Sequence, residues 1–274
     1  MKQTNPTKLF AVGSAIAAFT FTPAFAGEVT MDSKATKEVK IEEKAESPFS
    51  VSFSTGYDSE YIFRGVDILN FTTDDGDLLW ADINVSAYGF TAGAWYAEAI
   101  NKGNEGATGE EDLNYGELDL YLLYSYTAGP VTLTGGYTFY YFPDLDDTYS
   151  HELNIGVSTS VIPFVTPSVT FYYDIAEDDK DIYDGGYLEF KLSSSIPVVG
   201  DVVSIDPYAL VSYDFEYNST ESDWNHFQTG VSIPVKLTEN ITISGYAAYS
   251  WALSAIEDFQ NDELWGGAKV SFTF

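Results

Sequence analysis

Apolar and polar side chains alternate with a period of two along almost the whole chain after Pro48. In Phe49 to Ile68 (FSVSFSTGYDSEYIFRGVDI), Phe49, Val51, Phe53, Thr55, Tyr57, Tyr61 and Phe63 share one parity. Ser50, Ser52, Ser54, Gly56, Asp58, Glu60 and Arg64 share the other. Successive strand side chains point to opposite faces, so the pattern predicts a strand with one apolar wall and one small, polar or charged wall. Asn114 to Thr127 repeats it, with Leu118, Leu120, Leu122, Tyr124 and Tyr126 opposing Glu117, Asp119, Tyr121 and Ser125. So do Tyr187 to Ile196 and Ile241 to Trp251.

Eleven breaks divide this alternation into twelve strands. Long, acidic connections fall at residues 70–77, 101–112, 143–150, 177–185, 217–223 and 253–263. Short ones fall at 88–89, 128–130, 163–167, 197–201 and 238–240. Long and short connections in strict alternation are the layout of a transmembrane barrel, with short periplasmic turns and longer extracellular loops. Many runs exceed the usual five or six residues of a globular strand and suit a tilted membrane strand. The expected fold is therefore all-β: a single antiparallel up-and-down transmembrane β-barrel of about twelve strands, spanning residues 48–274. In a soluble sandwich the same alternation would place the apolar face in a core, so burial of Leu118, Leu120 and Leu122 under a second layer would overturn the barrel.

The first 26 residues read as a signal peptide, with Lys2 and Lys8 ahead of an apolar stretch and Ala24-Phe25-Ala26 as the cleavage motif. Residues 27–47, rich in Lys and Glu, read as a disordered polar lead-in. At the other end, KVSFTF closes on Phe274 with Val270 and Phe272 on the apolar parity. A final amphipathic strand ending in phenylalanine resembles the signal by which barrel-assembly machinery handles bacterial outer-membrane proteins. Outer-membrane lipid and that machinery are the expected partners, and the bacterial outer membrane the expected location.

Composition sharpens the picture. Aromatic residues make up 16% of the chain, which fits strands and aromatic girdles at a membrane interface. Cys is absent, excluding disulfides and thiolate metal sites. The formal charge is −30, and beyond Ser47 six basic residues face 36 acids. Such a chain repels nucleic acid and attracts cations. Projecting the polar parity inward gives a candidate pore lining of Asp58, Glu60, Arg64, Asp82, Glu117, Asp119, Glu152, Asp174, Glu189, Lys191, Asp206, Asp214 and Lys269. Glu98 joins them on a strand whose phase the residues leave open. Trp80, Tyr121, Tyr140, Tyr172, Tyr187, Tyr208, Tyr246 and Trp265 would fill part of the section.

Twelve strands lie between the roughly eight that only side chains can fill and the 16–18 that leave an open channel. A narrow porin for passive diffusion of small solutes, preferring cations, is the expected function. The alternatives are a plugged structural or surface-interaction barrel and a lipid-modifying enzyme. The enzyme would use His151 beside Ser150 or His226 beside Ser222, but no hydrolase motif accompanies either. Acidic clusters at 74–77, 144–147 and 177–181 lack the spacing of a calcium loop, so no metal or cofactor is expected.

Tyr61-Ile62-Phe63-Arg64-Gly65-Val66, followed by Gly89-Phe90-Thr91-Ala92-Gly93-Ala94-Trp95, resembles the TorF family of porins. Members tend to carry Y-x-(F/Y)-R-G in the first strand and G-F-x-A-G-x-W in the third. The likeness implies an outer-membrane barrel of transport function and makes Arg64 a motif residue. Asp67-Ile68-Leu69 departs from the pattern, which has small polar residues after the Arg-Gly.

Overall fold

A computed structural model of the chain describes residues 49–73, 76–101, 114–144, 148–176 and 184–274. The signal segment, the lead-in and most of the three acidic clusters lie outside the described residues. The strands are β1 (Phe49–Asp58), β2 (Ile62–Phe63), β3 (Val66–Asp67), β4 (Asp77–Ala87), β5 (Phe90–Ile100), β6 (Gly116–Ala128), β7 (Val131–Phe142) and β8 (Thr148–Thr159). They continue as β9 (Thr166–Ala176), β10 (Gly185–Ser193), β11 (Ile196–Val199), β12 (Val203–Phe215), β13 (Asp223–Lys236), β14 (Ile241–Ala252) and β15 (Glu263–Thr273). Among the described residues one short helix, α1 (Ile68–Thr73), follows β3.

Every wall strand pairs antiparallel with its sequence neighbours, and β1 pairs with β15, so the sheet closes on itself. Strands β10 and β11 both lie against β12 and act as one wall strand interrupted at Ser194 and Ser195. The barrel therefore has twelve strands, as the alternation predicts. Its outer face is the apolar parity: Leu120 is 45% and Leu122 50% exposed, with no second layer of described residues over them. Phe49, Tyr88, Phe90 and Tyr124 ring the short-turn end, with Phe90 and Tyr124 centroids 4.6 Å apart. Phe139, Tyr149, Tyr213, Trp224 and Trp251 belong to the opposite belt.

The first strand corrects the expectation. The wall strand ends at Asp58, not Ile68, and the chain turns into the barrel. Tyr61 and Phe63, expected on the lipid face, are 5% and 7% exposed within the interior core. Phe63 and Val66 pair across a two-residue turn, and Arg64 and Gly65 at its tip have φ of 48° and 84°. Positive φ at both positions is the mark of a type I′ hairpin turn. The same turn joins β4 to β5 through Tyr88 (φ 53°) and Gly89 (φ 86°). Asp67 then accepts from the backbone N–H groups of Leu69 (3.1 Å) and Asn70 (3.3 Å), capping α1.

Inner-face glycines recur opposite inner-face aromatics. Gly56 pairs with Trp80, Gly93 with Tyr121, Gly230 with Tyr208 and Gly267 with Tyr246. A Cβ on Gly56, Gly93 or Gly230 would lie 2.4 Å from the partner ring. Each ring thus packs over the bare backbone of its glycine partner.

Candidate functional site: the hairpin inside the barrel

The hairpin β2–β3 and helix α1 occupy the long-connection end of the interior. Tyr61, Phe63, Val66, Ile68 and Leu69 pack with the inward residues Leu78, Trp95, Tyr115, Tyr140, Phe142 and Tyr187, and with Ala255 and Ile256 of the 253–262 connection. Two bonds to its backbone groups help to fix the lie of the insert. The Asp67 N–H donates to Gln260 Oε1 (2.9 Å), and Asn225 Nδ2 donates to the Arg64 carbonyl (2.6 Å).

Asn225 can reach inward because β13 carries a bulge. Val211 faces Phe227 and Tyr213 faces Trp224, so Ser212 alone opposes both Asn225 and His226. A bulge of this kind re-aims side chains, and both Asn225 and His226 are buried inside the wall. Ser212 Oγ lies 2.8 Å from His226 Nδ1, and the His226 ring stacks on Tyr187 with centroids 6.3 Å apart. Gly65 passes over this ring so closely that a Cβ would sit 2.7 Å from it.

Arg64 is at the centre. Its Nη2 donates to Glu152 Oε2 at 2.5 Å. Its Cζ lies 4.7 Å from the Phe63 centroid, 4.5 Å from Tyr172, 4.8 Å from Tyr187 and 4.6 Å from Tyr217. Burial disfavours the Arg64 charge, but Glu152, with Tyr217, Tyr140 and Tyr172 around it, outweighs that and holds its pKa well above the ordinary value. Tyr140 donates to the other Glu152 oxygen at 3.1 Å. On the far side of the hairpin, Tyr61 and Tyr115 both donate to Glu117 Oε2 at 2.7 Å. Burial raises both phenols, so they remain donors at neutral pH.

The predicted pore-lining residues separate into groups. Arg64, Glu117, Asp119, Glu152 and Asp174 are buried around the hairpin. Asp214, also buried, accepts from the Tyr217 and Asn218 N–H groups, both at 2.7 Å, and shapes the connection after β12. On the adjoining strands β4, β1 and β15, Asp82 is bound by Tyr121 (2.7 Å) and Asn84 (2.8 Å), and Asp58 accepts from Trp80 Nε1 (3.0 Å). Lys269 shares their inner face and is exposed there. Glu189, Lys191 and Asp206 are half-buried; Lys191 lies over Tyr208, and Ser195 donates to Asp206 at 2.6 Å. Glu60 stands in the connection after β1, outside any strand, and is half-buried.

One inward projection fails here, and one alternative loses its geometry. Glu98 belongs to the outward parity of β5 with the exposed Tyr96, because Trp95, Ala97 and Ala99 are the buried residues of that strand. Neither Ser–His pair of the enzyme alternative forms: His151 faces outward and bonds the Tyr137 hydroxyl (2.7 Å), while Ser150 points inward toward Asp174 (3.4 Å). The bulge hands His226 to Ser212 in place of Ser222. The aromatic box around Arg64 was not visible in the sequence. Three of its four rings come from β9, β10 and the connection after β12, and nothing in their spacing points to one centre.

Toward the short-turn end the inner wall changes character. Ser52, Ser54, Asn84, Ser86, Ser125, Thr134 and Asn154 face inward and are only partly covered. Below the packed insert the inner wall is polar and partly exposed.

The amino-acid sequence matches the Gcw_chp family, described as a bacterial protein of unknown function, over residues 42–255. The chain belongs to the Gcw_chp family. No curated protein matches it. Among solved structures, this Gcw_chp barrel is similar to the KdgM porin, with a TM-score of 0.53, 10% identity, and coverage of 81% of this chain and 99% of that one. The NanC porin gives 0.52 and 10%, covering 81% and 98%. An outer-membrane channel from Pseudomonas putida F1 gives 0.56 and 8%, covering 82% and 95%. At such identities the likeness is one of fold: the Gcw_chp chain has the architecture of outer-membrane porin-like barrels. The TorF resemblance rests on the Tyr61–Val66 and Gly89–Trp95 motifs alone.

Proposed function

We propose that this Gcw_chp protein is an outer-membrane channel of porin type. It passes small solutes by diffusion, prefers cations, and uses the Arg64 hairpin as its constriction. The observation that carries the reading is the polar, partly exposed inner wall that ends against an inserted hairpin. That hairpin is separate from the barrel's hydrogen-bond ladder, since β2 and β3 pair only with each other among the described strands. An insert held mainly by side chains narrows a bore without being part of its wall, and it can shift without opening the barrel.

Cation preference follows from the sign of the inward residues. Asp58, Asp82, Asp206 and Glu189, with the buried acids around Arg64, outnumber Arg64, Lys191 and Lys269, and acidic rings favour cations. The KdgM porin has been solved in complex with oligogalacturonate, an acidic sugar chain. An acidic interior opposes a polyanion, so that ligand does not suit this chain. The exposed outer face, belted by aromatics, is the surface for outer-membrane lipid. Strand β15, with Phe272 and the Phe274 that follows it, is the segment for barrel-assembly machinery.

Planar-bilayer recording tests the reading. The expected result is a small, cation-selective conductance that rises when residues 62–67 are replaced by a short Gly-Ser turn. A second reading, a plugged structural barrel, is favoured by the near-complete burial of Tyr140, Glu152 and Tyr187 beside the hairpin. Silence from both the intact and the shortened chain would establish the plug and end the channel proposal.

A further inference from the structure

The guanidinium of Arg64 sits in a receptor that the rest of the barrel builds almost unaided. Three of its four rings belong to other elements: Tyr172 to β9, Tyr187 to β10 and Tyr217 to the connection after β12. The carboxylate comes from β8. A flat, delocalised, weakly hydrated cation stacked against rings and bonded at its edge by a carboxylate is guanidinium recognition, which a compact ammonium reproduces poorly.

The receptor also has capacity that Arg64 leaves unused. Glu152 and Asp174 are direct partners in the β8–β9 register, so their carboxylates lie side by side on the inner face. Glu152 takes the Arg64 bond, whereas Asp174 Oδ1 is buried with no hydrogen-bond partner. Asp174 is 1% exposed. A buried carboxylate oxygen left without a donor is costly, and it marks a place where another donor belongs. Arg64 itself is held in place by a two-residue turn with positive φ, a conformation that non-glycine residues seldom adopt.

We propose that Glu152, Asp174, Tyr172, Tyr187 and Tyr217 form a binding site for guanidinium-type cations from outside the chain, with Arg64 as its tethered resident ligand. A tethered ligand competes at an effective concentration of about millimolar order, so free cations enter when abundant or when the hairpin withdraws. This deepens the channel reading, on which its relevance to transport rests. Binding is read without conduction, so conductance without binding removes only the receptor, and binding without conductance removes only the channel.

The test uses the full barrel in detergent, with ethylguanidinium chloride as probe and ethylammonium chloride at equal ionic strength as control. The readout is the thermal midpoint of unfolding, followed by loss of heat-modifiable gel mobility. Arg64→Ala should lower the midpoint, and ethylguanidinium should restore it saturably while ethylammonium restores less. Adding Glu152→Gln to Arg64→Ala should abolish the response. The wild-type barrel, its site filled, should need on the order of tenfold more probe. Should Arg64→Ala fail to fold, refolding yield with and without ethylguanidinium becomes the readout, and recovery supports the site. The proposal is overturned by absent rescue in either assay, by equal rescue with both probes, by rescue that survives Glu152→Gln, or by identical titrations of wild type and Arg64→Ala.

Discussion

Arg64 and Glu152, 88 positions apart in the chain, meet inside the barrel with Nη2 and Oε2 separated by 2.5 Å. Both ends of this ion pair are almost wholly removed from water. Removing one partner of a buried pair strands the other charge, which typically costs about 3–5 kcal/mol. Glu152→Gln should therefore destabilise the barrel strongly in urea titrations in detergent. The double variant with Arg64→Met should recover part of the loss, because neither member of the pair then leaves the other's charge stranded. A double variant as unstable as the sum of the two singles would show that the pair is not coupled.

Gly65 and Gly129 separate strain from crowding. Both have positive φ, 84° and 59°, but a Cβ on Gly65 meets the His226 ring while one on Gly129 meets nothing within 4 Å. Gly129→Ala should cost about 1–2 kcal/mol, the usual left-handed penalty for an L-residue. Gly65→Ala should cost that plus about 1–3 kcal/mol of overpacking. Equal losses in parallel thermal melts would mean that the hairpin does not press on His226.

Tyr61 and Tyr115 share one acceptor, Glu117 Oε2. Hydrogen bonds to charged groups contribute about 1.5–3 kcal/mol each, so Tyr61→Phe and Tyr115→Phe should each destabilise by that order. Together they should cost more than additively, since Glu117 would then lose both of these donors while buried. Equilibrium unfolding of the two singles and the double measures this.

Leu122 and Thr134 test which face meets lipid. Leu122 is 50% exposed on the outer face, and Thr134 lies on the inner wall. An arginine facing the bilayer midplane costs about 2–4 kcal/mol. Leu122→Arg should show that loss on folding into vesicles, and Thr134→Arg should be nearly neutral. The opposite order would turn the barrel inside out.

The wall of this barrel was legible because period-two alternation survives turn after turn and the connections alternate in length. The insert was not, for a specific reason. A two-residue strand, a two-residue turn and another two-residue strand preserve the alternation of the preceding wall strand, so Tyr61 and Phe63 kept the lipid-facing parity while folding inward. The one available signal was the Arg64-Gly65 dipeptide, which makes the same turn as Tyr88-Gly89, a break that the sequence did reveal. Glu98 was misplaced because β5 carries small residues on both faces, leaving its phase open. The bulge at Asn225 and His226 adds a residue with no turn chemistry to announce it, and with it went the geometry of the Arg64 box.

The pairing of β1 with β15 bears on how such a molecule comes into being. The earliest and latest wall segments made are the ones that must find each other, so each carries a naked row of amide groups until the last joins. Rows like these recruit strangers readily. Closure of the ring therefore depends on both margins staying unpaired until the last wall strand is in place.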